Sequence, residues 1–176
     1  MIAVRAERAQ EFGAIGEMVK RCYRDVAYSN HGEHGMIARL RASAAYVPQL
    51  ALVAEFDGEL AGHVMLTRIV IRGEASDYPS LALAPLSVAP AFQGRGVGAA
   101  LVEAVHAQAR EMGFNSIIIA GIAGYYQRFG YAPLDTWPIR LPFEVHPDHR
   151  MAVALTPGGL DGVEGLVEYA PEWLSP

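Results

Sequence analysis

The run Gln93-Gly94-Arg95-Gly96-Val97-Gly98-Ala99 is the part of this sequence best suited to chemistry. Glycines carry no side chain, so consecutive backbone N–H groups can close on an anion, and at a helix N-terminus the dipole adds to their pull. Two nucleotide motifs can be tested against it. A P-loop needs GxxxxGK followed by Ser or Thr, and no lysine follows these glycines. Gly94, Gly96 and Ala99 do satisfy the GxGxxG/A spacing of a dinucleotide site. That motif, however, follows its strand directly and is answered about 20 residues later by an acid for the ribose. Here Ala89 to Gln93 intervenes, and the next strand closes on Ala120-Gly121 without a carboxylate. The NAD reading does not fit.

Other residues with chemical potential are more scattered. His31-x-Glu33-His34 has a metal-like composition but is not HExxH and falls in a loop, so solvated residues or a substrate-binding rim suit it better than a metal. His146-Pro147-Asp148-His149 reads as a polar turn. Cys22 lies on the apolar stripe of a helix and reads as a small buried hydrophobe. Being the single cysteine, it makes no internal disulfide.

The elements that must position these residues follow from periodicity. Ile2 to Glu7 predicts a first strand, and Phe12, Ile15, Val19, Cys22 and Val26 predict an amphipathic helix from about Ala9 to Tyr28. Met36, Ile37 and Leu40 suggest a shorter second helix. Leu50 to Phe56, Asp57-Gly58 and Leu60 to Ile71 form a hairpin pattern, its turn dipeptide suited to positive φ. A loop from Gly73 to Ser80 leads to Leu81 to Val88, apolar on both faces as a central strand should be. Pro85 interrupts that run and marks a bulge or unpaired edge. Val97, Leu101, Val105 and Met112 make the next helical stripe, stopped by Gly113, and Ser116 to Ala120 is a β-branched strand. Leu81 to Gly121 is therefore a β-loop-α-β unit with parallel pairing. A short helix from Ala123 to Phe129 ends at Gly130, and short strands follow at Tyr131-Ala132-Pro133, Arg140 to Phe143, Met151 to Leu155 and Gly165 to Tyr169.

Composition bounds the whole. The 176 residues are 52% hydrophobic and 19% charged, enough for a sizeable core and too apolar for disorder. No apolar run reaches the roughly 18–20 residues of a membrane span. Charges at Arg5, Glu7 and Arg8 occupy the place of a signal peptide's apolar stretch, so the expected location is the cytoplasm. A net charge of -5 argues against nucleic acid as a partner. No linker or composition shift divides the chain, so residues 1–176 are expected to form a single domain.

The stretch Leu86-Ser87-Val88-Ala89-Pro90-Ala91-Phe92-Gln93-Gly94-Arg95-Gly96-Val97-Gly98 resembles the acetyl-CoA motif of the GNAT N-acetyltransferase superfamily, whose core Q/R-x-x-G-x-G/A is met by Gln93, Gly96 and Gly98. Tyr126-Gln127-Arg128-Phe129-Gly130-Tyr131 matches the family's second signature, Y-x-x-x-G-F/Y. The core of the resemblance runs from about Leu81 to Pro133, with the preceding helices and hairpin in family order. It implies an α/β fold of the GNAT kind: a mixed, mostly antiparallel sheet with a splayed central parallel strand pair, flanked by helices. It also implies acetyl-CoA as cosubstrate and an amine acceptor, with no metal and no membrane partner, in a monomer or homodimer. By resemblance, Leu86, Ser87 and Val88 pair with the pantetheine arm, Gln93, Gly94, Arg95, Gly96, Val97, Gly98 and Ala99 hold the pyrophosphate, and Arg128 approaches the phosphates. Tyr126 is implied as donor to the thioester sulfur.

Two costs shape that chemistry. Transfer from a phenol of pKa about 10 to a thiolate of about 8.5 is uphill by roughly 2 kcal/mol, so Tyr126 must be tuned downward or act mainly by donating to developing charge. A lysine-like ammonium of pKa about 10.4 costs roughly 4.6 kcal/mol to deprotonate at pH 7, which calls for a base or a water wire. Many relatives carry a glutamate on or beside the central strand, whereas Leu81 to Val88 holds no acid or histidine. Glu33, Glu55, His63 and Asp77 remain as candidates. Ile119 stands where family members often have Asn, seven positions before Tyr126. The reading is an acetyl transfer to a primary amine without a covalent intermediate. Its alternatives are a non-catalytic acyl-CoA-binding regulatory module and an acyltransferase with another acyl group or acceptor.

Overall fold

Among the described residues, nine strands form one mixed, mostly antiparallel sheet that organises the molecule. The structure is a computed structural model and describes residues 1–27, 29–121 and 124–175. Strand β1 (Ile2–Ala6) pairs antiparallel with β2 (Tyr46–Phe56), and β2 with β3 (Glu59–Arg72). Asp57 and Gly58 close that hairpin, both with positive φ (50° and 85°), the twist a two-residue turn requires. Strand β4 (Asp77–Val88) pairs antiparallel with β3, then parallel with β5 (Ser116–Ala120) through helix α3 (Val97–Glu111). Strand β8 (Arg150–Ala154) continues beyond β5 and carries β6 (Ala132–Pro133). Strand β9 (Gly165–Glu168) joins the far end of β3 and the short β7 (Ile139–Arg140).

Alternation along the strands builds two apolar faces. Val64, Leu66, Leu81, Leu83, Ile117 and Ile119 point to α3, whose Val97, Leu101, Val105 and Ala109 are almost wholly buried against them. Each such fully buried Leu or Val contributes about 1.5–3 kcal/mol. On the opposite face, Val53 and Met65 meet α1 (Phe12–Tyr23) and α2 (Glu33–Arg41), while Ile69, Ile71 and Ile118 meet the C-terminal chain. That chain ends in α4 (Pro171–Leu174).

Several boundaries differ from the sequence reading. The first helix ends at Tyr23, where the turns tighten to bonds from Arg24 N to Arg21 O and Val26 N to Tyr23 O. The expected end at Tyr28 and the expected start of the short helix at Ala123 lie outside the described residues. β4 starts at Asp77 rather than Leu81, because Arg72 pairs with Asp77 in register and by an ion pair of 2.7 Å. Met112 falls beyond the end of α3 and is exposed. Pro85 stands in a bulge as expected, where the β3–β4 register shifts between Val64/Leu86 and Leu66/Leu83, and the Ala84–Pro85 peptide is cis. No helix among the described residues is long and apolar enough to cross a membrane.

Candidate active site

Pairing between β4 and β5 covers only Leu81–Ile117, Ala82–Ile118 and Leu83–Ile119. Past the bulge, β4 is held from one side alone. Ala89 N bonds Ala61 O, and Ser87 faces His63 in the same register, so the main-chain groups of Leu86 and Val88 turn away from β3 toward the gap. Their carbonyls are already engaged: Leu86 O accepts from the Tyr23 hydroxyl (3.0 Å), and Val88 O from the Cys22 thiol (3.3 Å) and Gln93 Nε2 (3.1 Å). The N–H groups of Leu86 and Val88 are left facing a gap that no described strand closes.

Immediately beyond, the chain turns into α3. Gly96, at φ +86°, caps the helix in the left-handed region that a side chain disfavours. The first-turn N–H groups have no acceptor within the helix and open toward the same gap. At Gly98 a Cβ would collide with the Tyr125 hydroxyl and lie 3.4 Å from its Cζ. That ring packs edge-on to Tyr126 (centroids 5.2 Å apart) and carries the Arg128 guanidinium 4.7 Å above it, while Arg128 Nε donates to Tyr125 O.

Tyr126 opens a turn of 3-10 helix over residues Tyr126–Phe129, closed by Gly130 at φ +93°. Its ring lies between Tyr125 and Tyr131 and rests on Gly121, where a Cβ would come within 3.2 Å of Tyr126 Cε2. Tyr131 is buried in turn, its hydroxyl 2.9 Å from His106 Nε2.

These parts surround one cavity of about 900 Å³. Of the residues singled out from the sequence, Leu86, Val88, Gln93, Gly94, Gly96, Val97, Gly98, Ala99, Tyr126 and Arg128 line it. Ser87 does not: strand alternation turns its side chain to the buried α1 face, and its main chain pairs back to β3. Arg95 does not either, its guanidinium lying over Phe56 at 5.4 Å. Ile119 is buried in the core under α3.

The four candidate bases separate clearly. Asp77 is ion-paired to Arg72 at the far end of β4, and Glu55 is bound to Arg5 on β1. His63 is fully buried beside Glu7, which also accepts from Arg41 and the Tyr46 hydroxyl. Only Glu33 reaches the cavity. Cys22 is half-buried, and burial pushes its thiol upward, which suits a packed thiol and not a nucleophile. Among the described residues no cluster of three metal-ligating side chains occurs.

Of the rest of the lining, only Glu33 was singled out from the sequence as a candidate. Ser29, Asn30, Met36 and Arg39 line the cavity with it, as do Trp173 and Ser175 of the C-terminal chain. Arg39 joins them, donating to the carbonyls of Glu172 (3.3 Å) and Ser175 (2.9 Å).

Comparison with known proteins shows the family and the fold. The family model described as "Acetyltransferase (GNAT) family" matches residues 14–131. Two proteins of Escherichia coli K12 are similar, both named as uncharacterized N-acetyltransferases. YjhQ is 35% identical over 107 residues, which is 61% of this chain and 59% of that protein's length. YhbS is 33% identical over 128 residues, covering 68% of this chain and 71% of the relative. Among solved structures, a GNAT family acetyltransferase from Brucella melitensis in complex with acetyl-CoA is 31% identical, covers 98% of both chains and superposes with a TM-score of 0.79. The CoA complex of Escherichia coli YhbS shares the fold at a TM-score of 0.87 and 23% identity, over 99% of this chain and 92% of that one.

Proposed function

The chain belongs to the GNAT acetyltransferase family, and from that premise we propose that it transfers an acetyl group from acetyl-CoA directly to a primary amine. The observation that carries this reading is a single cavity holding the unpaired stretch of β4, the head of α3 and Tyr126. The residues fit the cosubstrate: an extended amide chain can complete the ladder on the N–H groups of Leu86 and Val88, and a pyrophosphate can take the amides from Gly94 to Ala99. Acetyl-CoA bound there supplies an acyl group activated as a thioester.

The chain's own residues do the rest. Gln93 holds the Val88 carbonyl and so the register of the β4 end against the glycine turn. Arg128 lends positive charge at the cofactor side, fixed by its bond to Tyr125 O and its stacking on that ring. Tyr126, clamped between two aromatic rings and Gly121, donates to negative charge developing on sulfur. Holding both reactants in one cavity supplies the orientation that a bimolecular reaction in water lacks.

A thiol-release assay with acetyl-CoA and a panel of primary amines tests this, run beside calorimetry with acetyl-CoA alone. Acetyl-CoA binding with amine-dependent thiol release is the expected outcome. Binding without turnover on any amine replaces the enzyme by an acyl-CoA-binding module, and absence of binding removes the reading.

A further inference from the structure

Glu33 is the only carboxylate lining the cavity among the described residues, and neither a histidine nor a lysine lines it. It stands at the start of α2 and lines the cavity together with Ser29, Asn30 and Gly32. The Ser29 hydroxyl donates across the carboxylate, 2.7 Å from Oε2, and is itself fixed by accepting from His31 N at 2.8 Å. The carboxylate is thus oriented by a neutral donor, and among the described residues no Lys, Arg or His pairs with it. Arg39 lines the cavity too, but its Nε and Nη2 are turned onto the carbonyls of Glu172 and Ser175. A held, unneutralised carboxylate in a partly enclosed site attracts a cation. Tyr23, Met36 and Trp173 line the same cavity and give it apolar and aromatic surface.

We propose that Glu33, oriented by Ser29, receives the acceptor's ammonium and takes its proton, so that the acceptor is a primary amine borne on an apolar body. The inference rests on the acetyl-transfer reading. In the step, Glu33 accepts one proton from the ammonium and later releases it to solvent. The freed nitrogen lone pair forms the C–N bond to the acyl carbon, and the C–S bond breaks with its electron pair on sulfur. The second N–H proton, lost as the amide forms, balances the proton that sulfur gains through Tyr126.

The test uses Glu33→Gln, which keeps the shape and a bond to Ser29 but removes the charge, with benzylamine, 2-phenylethylamine and hexylamine as probes. Calorimetry reads acetyl-CoA binding, then amine binding to protein saturated with CoA; thiol release reads turnover. The expected result is acetyl-CoA affinity within about twofold of wild type, amine affinity weakened at least about tenfold and turnover lowered at least about a hundredfold. Ser29→Ala, which frees the carboxylate without discharging it, should raise the amine KM more than it lowers kcat. Amine affinity and turnover of Glu33→Gln within about threefold of wild type overturn the assignment. So does a wild-type protein that binds acetyl-CoA but none of the three amines. A wild-type protein that does not bind acetyl-CoA instead overturns the acetyl-transfer reading itself.

Discussion

Tyr126 is held by packing on three sides, against Tyr125, Tyr131 and Gly121, and such a clamp fixes where its hydroxyl can act. Because a thiolate leaves readily, Tyr126→Phe should slow turnover by about 10²-fold or less while acetyl-CoA affinity stays near wild type. Steady-state thiol release checks this, and a folded variant turning over at the wild-type rate removes Tyr126 from the mechanism. The residue was singled out by resemblance to a local signature, Tyr126 to Tyr131 matching Y-x-x-x-G-F/Y, and the structure places it on the cavity. Its neighbour was less legible. Tyr125 places its hydroxyl where a Cβ at Gly98 would stand, in the first turn of α3, a contact no spacing rule announces. Glu33 was one of four candidates on chemistry alone; only the fold separates it from Glu55, His63 and Asp77 by bringing it to the cavity.

In the proposed reaction, acetyl-CoA binding rests on the head of α3. A methyl group at position 98 must displace Tyr125 or the helix start, so Gly98→Ala should weaken acetyl-CoA binding at least about tenfold by calorimetry. Adding Tyr125→Phe removes the colliding oxygen and leaves a ring carbon at 3.4 Å, so the double variant should recover part of that loss. Strictly additive losses would contradict the steric account. The strand–turn–helix order here followed from hydrophobic period and glycine placement, and the bulge at Pro85 from the missing N–H of proline. The N-terminal helix was overextended because Val26 continues the apolar spacing, although turns tightening after Tyr23 end it. The C-terminal wall was out of reach: Arg39 finds its carbonyl partners 133 and 136 positions away, and periodicity carries no information about such pairs.

At the scale of the whole molecule, two histidines are folded in as neutral groups. Burial pushes His63 and His106 below the ordinary imidazole value of 6.5, His106 to about 4 with help from Arg110. Below pH 6.5 the unfolded chain therefore binds protons that the folded one refuses, so stability is full above that pH and falls as acid is added. For His106 the loss between pH 7.5 and 5 is about 2 kcal/mol. Glu7 acts lower down: burial works to raise it, but hydrogen bonds from His63 and Arg41 prevail and hold it near 2. Its contribution is complete above the unfolded value of 4.5 and is lost as pH falls from there toward 2. Urea unfolding at pH 7.5 and 5 should show the decline, and His106→Gln should shrink it; an unaltered difference contradicts the assignment to His106. The network of Glu7, Arg41, Tyr46 and His63 joins the residue after β1 to α2, β2 and β3, and no sequence motif foretold it. In the proposed reaction β4 keeps open main-chain donors for acetyl-CoA beside the glycine turn, and amide hydrogen exchange reads them at the atoms concerned. The Leu86 and Val88 amides should exchange readily in the free protein and become protected at saturating acetyl-CoA. Amides already protected without acetyl-CoA, or unchanged by it, would contradict the account.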